Sequence, residues 1–275
     1  MPIYGLLVAY DGSGFHGFAR QGGPQAQLPT VQGSLEKALA AVLRTDIVTT
    51  GAGRTDAGVH ALGQVVSFSV PEPIDDLPAL QRRLNALCGP EIACLEVEQA
   101  PDGFDARFSA LSRSYEYAIF TREVHDPFSR HVAWHHPGQL DAEAMHAAAQ
   151  ALVGSHDFSS FGRLPRATPE PPSGPPSPIR EVWSIAVERQ DDLVLIRVTA
   201  NAFLQQMVRS IVGTLVKVGE GVRPVSWVAE VLAARDRSAA GPVAPPQGLF
   251  LMEVAYPEDP EDPEGTGATT PPAPG

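Results

Sequence analysis

Residues 51–70, Gly-Ala-Gly-Arg-Thr-Asp-Ala-Gly-Val-His-Ala-Leu-Gly-Gln-Val-Val-Ser-Phe-Ser-Val, open as a glycine-rich loop and close as a strand. The closing part alternates, with Val66, Phe68 and Val70 on one face and Val65, Ser67 and Ser69 on the other. The opening part sets Gly51, Gly53, Gly58 and Gly63 around Arg54, Thr55 and Asp56. Glycine reaches backbone shapes closed to other residues and lets a ligand come close. Asp56 therefore has two readings: a carboxylate presented to a ligand, or a turn residue capping a backbone N–H. A phosphate cradle fits poorly. The dinucleotide fingerprint needs a glycine where Asp56 stands, and the Walker pattern needs a Lys and a hydroxyl that are absent.

Outward from this stretch, the pattern predicts a strand over residues 3–10, ended by the turn Asp11-Gly12-Ser13-Gly14. Thr30 is a helix N-cap ahead of the apolar stripe Leu35, Leu39, Val42 and Leu43. A short strand over 47–50 leads into the Asp56 loop. Asp75 or Asp76 then caps a helix carrying Leu77, Leu80, Leu84 and Leu87, with Arg82 and Arg83 off the stripe, and residues 92–97 form another strand. The order strand, helix, strand, strand, helix, strand is the ferredoxin-like arrangement.

The second half repeats the rhythm. Residues 112–120 alternate as a strand with Tyr115, Tyr117 and Ile119 on one face, and residues 132–134 extend or pair with it. Asp141 caps a helix that runs to Val153 and stops at Gly154. Residues 181–188 and 193–199 form a hairpin, helices are expected over 201–218 and 226–234, and residues 249–254 supply the last strand. The fold expected is α+β: two ferredoxin-like halves, RRM-like in outline, with mainly antiparallel sheets, flanking helices and a central cleft. The boundaries expected are 1–104 for the half with the Asp56 loop and 105–256 for the second. Residues 257–275, proline, glycine and acid, read as a disordered tail, and the proline-rich stretch 163–178 reads as a mobile loop.

Composition constrains the partners. Asp and Glu outnumber Lys and Arg by 32 to 20, a net charge of −12, which argues against a nucleic-acid ligand unless basic residues gather on one face. Part of the excess is local to the acidic tail. Only two of the basic residues are lysines, Lys37 and Lys217. Cys88 and Cys94 are too few and too close for a disulfide framework or a four-ligand zinc site, and read as buried thiols in a reducing compartment. The apolar start lacks a basic leader and meets Asp11 too soon for a signal peptide, and no later run is long enough to span a bilayer. A cytoplasmic protein is the expectation.

The wording of the opening stretch carries more than its pattern. Gly-Arg-Thr-Asp-Ala-Gly-Val-His-Ala followed by Gly-Gln-Val resembles the signature of the tRNA pseudouridine synthase A family. Four other blocks resemble that family in order. Tyr10-Asp-Gly-Ser-Gly-Phe-His-Gly-Phe18 is similar to its N-terminal motif, with Phe18 where Trp is usual and Ala19 where Gln is usual. Phe104 to Ala110 with Arg113-Ser-Tyr-Glu-Tyr117 resembles its second motif. Asn201 to Gly213 resembles the third, with Gln205 and Gln206 where His is common, and Gly248-Leu-Phe-Leu resembles the fourth.

The resemblance implies that Asp56 is the catalytic carboxylate, that Arg54 helps displace the target base, and that Tyr115 is the catalytic tyrosine. It implies an ion pair between Arg209 and Asp56; independently, an arginine among Met207, Val208 and Ile211 needs a carboxylate if buried, or else snorkels to solvent. It further implies that Leu249 packs against the bound base and that Arg107 belongs to the substrate-binding set. The substrate implied is tRNA at uridines 38, 39 and 40 of the anticodon arm, bound by a homodimer, with neither metal nor organic cofactor. The reaction would run through covalent attack by Asp56 on the base or on the sugar carbon, after the nucleotide is flipped out of its stack. Two rivals remain at this point: a non-catalytic RNA-binding module, and a small-molecule enzyme using an Asp–Arg pair.

Overall fold

A computed structural model describes residues 1–164 and 177–257. The tail expected to be disordered, beyond residue 257, and most of the proline-rich stretch lie outside the described residues.

The first half runs β1 (Ile3–Tyr10), α1 (Val31–Leu43), β2 (Thr49–Gly51), β3 (His60–Ser69), α2 (Leu77–Cys88) and β4 (Ile92–Ala100). The caps fall where the residue types demand them. The Thr30 hydroxyl accepts from the Gly33 N–H, and the Asp76 carboxylate accepts from the Ala79 N–H. Leu35 and Leu39 of α1 and Leu80 and Leu84 of α2 are buried. Leu87, expected on the same stripe, lies in the last turn of α2 and is exposed. The strands order as β4-β1-β3, with β2 on the far side of β3, all antiparallel.

The second half runs β5 (Ser112–Phe120), β6 (Trp134–His135), α3 (Ala142–Ala149), β7 (Gly154–Asp157), β8 (Ile179–Gln190), β9 (Leu193–Ala200), α4 (Met207–Gly219), α5 (Trp227–Ala234) and β10 (Leu249–Ala255). Its order is β10-β5-β9-β8, with β7 added at the outer edge. Setting β6 and β7 aside, both halves share one topology: the fourth strand beside the first, the first beside the third, the third beside the second. The duplicated ferredoxin-like reading therefore holds.

Three expected bounds shift: the helix begun at Asp141 ends at Ala149 and passes into one 3-10 turn, Gln150–Leu152, before Gly154, and two others move further. The helix expected from residue 201 begins at Met207, because Gln206 adopts a left-handed backbone (φ 63°) that no helix can continue through. The strand after the Asp56 loop begins at His60, earlier than its alternation announced, because residues 60 and 61 pair with β10.

The halves join edge to edge. Phe250 and Leu251 of β10 pair in parallel with His60 and Ala61 of β3, which makes one ten-stranded sheet. The edge of β3 is shared: β2 takes Val66 to Phe68, and β10 takes the beginning of the strand. Close approach at the seam requires a glycine, since a Cβ on Gly63 would lie 2.3 Å from the Met252 carbonyl oxygen. His60 stacks on Phe250 across the join, with ring centroids 4.7 Å apart. A single buried core continues through both halves, and α4 is its centrepiece, with nearly every residue from Met207 to Gly219 buried. Among the described residues no helix is long and apolar enough to cross a membrane. Cys94 is buried, Cys88 is half-buried, and both are free thiols; burial pushes Cys94 up to about 12.

Candidate active site

The loop Ala52–Val59 leaves β2 where that strand gives up the edge of β3, so it stands over the seam. Polar groups fix it from below. The Gln64 side chain, fully buried in β3, accepts from the Gly53 N–H (3.3 Å) and donates to the Gly53 carbonyl (2.8 Å). The Tyr10 hydroxyl lies 2.8 Å from Thr55 Oγ1, and the Phe18 N–H donates to the Thr55 carbonyl. Gly17, at φ +96°, passes so close beneath that carbonyl that a Cβ there would lie 2.9 Å away. Burial pushes the Tyr10 hydroxyl up to about 12, so it stays a neutral hydrogen-bonding post. Thr55 is buried while its neighbour Asp56 is only partly so. The loop is therefore pinned by residues on either side of a carboxylate left open to solvent.

Arg209 meets that carboxylate. Its Nη1 donates to Asp56 Oδ2 at 3.0 Å, with the two side chains 13% and 24% exposed. Nε donates to the Ala244 carbonyl at 2.7 Å, which aims the guanidinium edge at the loop. The geometry requires α4 to begin late. Arg209 then lies in the first turn, and Gly213, whose Cβ would sit 1.8 Å from the Pro242 carbonyl oxygen, lets residues 242–244 run against the helix. The alternative, Arg209 snorkelling into solvent, is not what the chain does.

Tyr115 lies on β5, next to β10, and is 8% exposed. A Cβ on Gly53 would lie 3.6 Å from its hydroxyl, which places the phenol against the Asp56 loop. The Phe203 ring meets it edge-on at 5.1 Å. Burial raises the Tyr115 pKa, and the nearby Asp56 charge raises it further, so the hydroxyl is held protonated and is a donor rather than a base. Leu249, at the start of β10, is buried and pairs with Tyr117. Asp56, Arg209, Tyr115 and Leu249 thus converge on the seam from both halves.

The remaining expected residues are more peripheral. Arg54 is exposed, two positions before Asp56, and no ion pair holds it among the described residues. Arg107 is exposed and lies over the ring of its neighbour Phe108 at 5.3 Å. Gln205 is exposed and its carbonyl accepts from the Arg163 N–H, while Gln206 supplies the left-handed turn before α4. Phe18 fills the space that Gly51 vacates, with its ring where a Cβ on Gly51 would be, 2.4 Å away.

Sequence reasoning passed over Gln64, Tyr10, Phe203 and Arg113. Arg113 alone carried a signal: alternation puts it on the same face as Tyr115 and Tyr117, where a charge is out of place.

Comparison with known proteins identifies the family. The family model described as tRNA pseudouridine synthase matches residues 6–109 and 148–257. The chain belongs to the tRNA pseudouridine synthase family. Members of that family are isomerases. The chain is 43% identical over 253 residues to "tRNA pseudouridine synthase A" from Shewanella sp. (strain MR-7), covering 92% of each chain. The same figures hold for the protein of that name from Shewanella sp. (strain MR-4), and identity is 42% for that of Shewanella baltica (strain OS185). A solved Cbf5-Nop10-Gar1 complex is similar at a TM-score of 0.28 and 12% identity, over 92% of this chain and 59% of that chain, a likeness too weak to add to the fold described above. Both segments matched by the tRNA pseudouridine synthase model contribute to the site: Asp56 and Arg54 lie in the first, Arg209 and Leu249 in the second.

Proposed function

We propose that this chain isomerises uridine to pseudouridine in tRNA, with Asp56 as the nucleophile, at positions 38, 39 and 40 of the anticodon arm and as a homodimer. The observation that carries the reading is the ion pair of Asp56 with Arg209 at 3.0 Å, open to solvent at the seam and flanked by Tyr115.

The chemistry follows from those three groups. The Asp56 carboxylate adds to the uracil ring or to the ribose carbon, and the glycosidic bond from nitrogen 1 breaks. Uracil turns, carbon 5 bonds to the ribose carbon, nitrogen 1 takes up a proton from solvent, and the carbon 5 proton leaves to solvent as the enzyme–substrate bond is released. Atoms balance without an oxidant or a metal, as an isomerisation requires. Arg209 orients the carboxylate. The protonated Tyr115 hydroxyl donates to a base oxygen, and its ring offers a stacking face worth roughly 1–3 kcal/mol to the extruded base. Leu249 supports that base from β10. Arg54, exposed beside the nucleophile, fills the gap left by the flipped nucleotide. Arg107 contacts the RNA backbone.

The net charge of −12 opposes RNA binding only if charge is evenly spread. Exposed Arg54 and Arg107, which flank the site residues in sequence, are the local counterweight, and RNA of this kind is read largely by shape and backbone contacts.

Tritium release from tRNA labelled at carbon 5 of uridine tests the assignment. Wild type releases tritium; Asp56→Asn binds tRNA with undiminished affinity and releases none. Full release by Asp56→Asn would sink the assignment of the nucleophile. Wild-type protein that binds tRNA silently would be an RNA-binding module, and one that does neither would be a small-molecule enzyme.

A further inference from the structure

Arg113, the second residue of β5, is 8% exposed, yet among the described residues none of its hydrogen bonds goes to a carboxylate. Nε and Nη2 donate to the Ala52 carbonyl at 3.3 and 2.8 Å. Nη2 also donates to the Arg107 carbonyl at 2.7 Å, and Nη1 donates to the carbonyls of Asn201 at 3.0 Å and Ala110 at 3.3 Å. Burial lowers its pKa from the ordinary arginine value, the mark of a charge held at a cost. An aliphatic side chain on this apolar face of the strand would carry no such cost. The cost therefore needs a return beyond packing.

The four carbonyls show what it is. Ala52 opens the loop that presents Arg54 and Asp56. Arg107 and Ala110 belong to the turn before β5. Asn201 opens the segment that carries Phe203 against Tyr115 and leads into the Arg209 helix. Arg113 itself stands two residues from Tyr115 on the same face. One planar guanidinium thus ties the nucleophile's loop, the tyrosine's strand and the approach to the arginine's helix to a common point. A lysine could not do so, because its three donors radiate from one atom, whereas the arginine fork spreads five over a plane.

We propose that Arg113 is a positioning residue that holds Asp56, Tyr115 and Arg209 in mutual register, and that it governs the rate of the chemical step rather than the affinity for RNA. This rests on the reaction proposed above.

Arg113→Lys and Arg113→Met are compared with wild type at a temperature where circular dichroism shows all three folded. Two readouts are taken: tritium release, and hydrogen exchange of the protein alone. The expected result is a kcat about 100-fold lower, the scale of a displacement of about 1 Å at the reacting centre, with KM for tRNA unchanged within about twofold. Amides of residues 53–59 and 202–206 exchange faster in both variants. A kcat within threefold of wild type in either folded variant overturns the proposal, as does a raised KM with kcat intact. Failure of both variants to fold also overturns it, since Arg113 would then serve the fold itself. Wild-type protein silent in tritium release counts instead against the reaction assigned above, and the exchange rates then decide whether Arg113 orders the two loops.

Discussion

The two halves follow the same path through the sheet, and at the same point of that path they do opposite things. Between its second and third strands the first half inserts residues 52–59, the loop that presents Asp56. Between the corresponding strands, β8 and β9, the second half has only Asp191 and Asp192, with Asp191 at φ 51° to close a tight hairpin. Their second helices differ as sharply. Only Leu80 and Leu84 of α2 are buried, whereas α4, packed under the seam, is buried almost throughout and carries Arg209. A scaffold used twice is thus indifferent to chemistry; what matters is which connection meets the partner half.

That contrast can be broken at several points. The strongest test exchanges the two aspartates' roles: Asp56→Asn lowers kcat for tritium release by on the order of 10⁴-fold or more, while Asp191→Asn leaves it within about twofold. Equal losses would show that the halves are not functionally distinct. Next, Arg209→Met lowers kcat on the order of 10²- to 10³-fold, the scale of losing one preorganised electrostatic partner. Combined with Asp56→Asn it adds little, because the two act as a unit; additive losses would separate them. Tyr115→Leu costs roughly 1–3 kcal/mol of stacking in kcat/KM, while Tyr115→Phe, which keeps the ring, costs less. The reverse ranking would move the weight from ring to hydroxyl.

The smallest effect concerns pH. His60 at the seam and His136 in the second half are both held below the ordinary histidine pKa of 6.5, chiefly by burial. A folded pKa below the unfolded one means that the unfolded chain binds more protons, so stability falls as pH drops below about 6.5. His60 Nδ1 accepts from the Gly12 N–H at 3.1 Å, a bond that an asparagine oxygen can reproduce. His60→Asn therefore flattens part of that acid slope in urea titrations at pH 7.5 and 5.5. An unchanged slope would assign the whole of it to other groups.

Much of this was readable before any coordinates. The period-two runs at residues 3–10, 66–70 and 112–120 are strands because alternation leaves a strand one wet and one dry face, and Thr30, Asp76 and Asp141 start helices because their side chains satisfy free N–H groups. Arg209 in an apolar helix demanded a carboxylate and has Asp56. What escaped notice was main-chain business. The shared edge of β3 depends on backbone pairing, to which Ala61 and Leu251 are indifferent in type. Arg113 bonds only to carbonyls, which every residue carries, so no partner betrayed it. The late start of α4 turns on the dihedral of Gln206, a residue with no strong preference for that shape.

Sharing β3 between β2 and β10 also bears on what happens if the polypeptide is cut. A break in residues 101–111 would leave one fragment with an unsatisfied row of amides at His60 and Ala61, and the other with its mate at Phe250 and Leu251. Each piece would keep a complete four-strand circuit and lack half of the reacting ensemble. Mixed together, two silent fragments should recover turnover by complementation, with a rate that depends on the concentration of both.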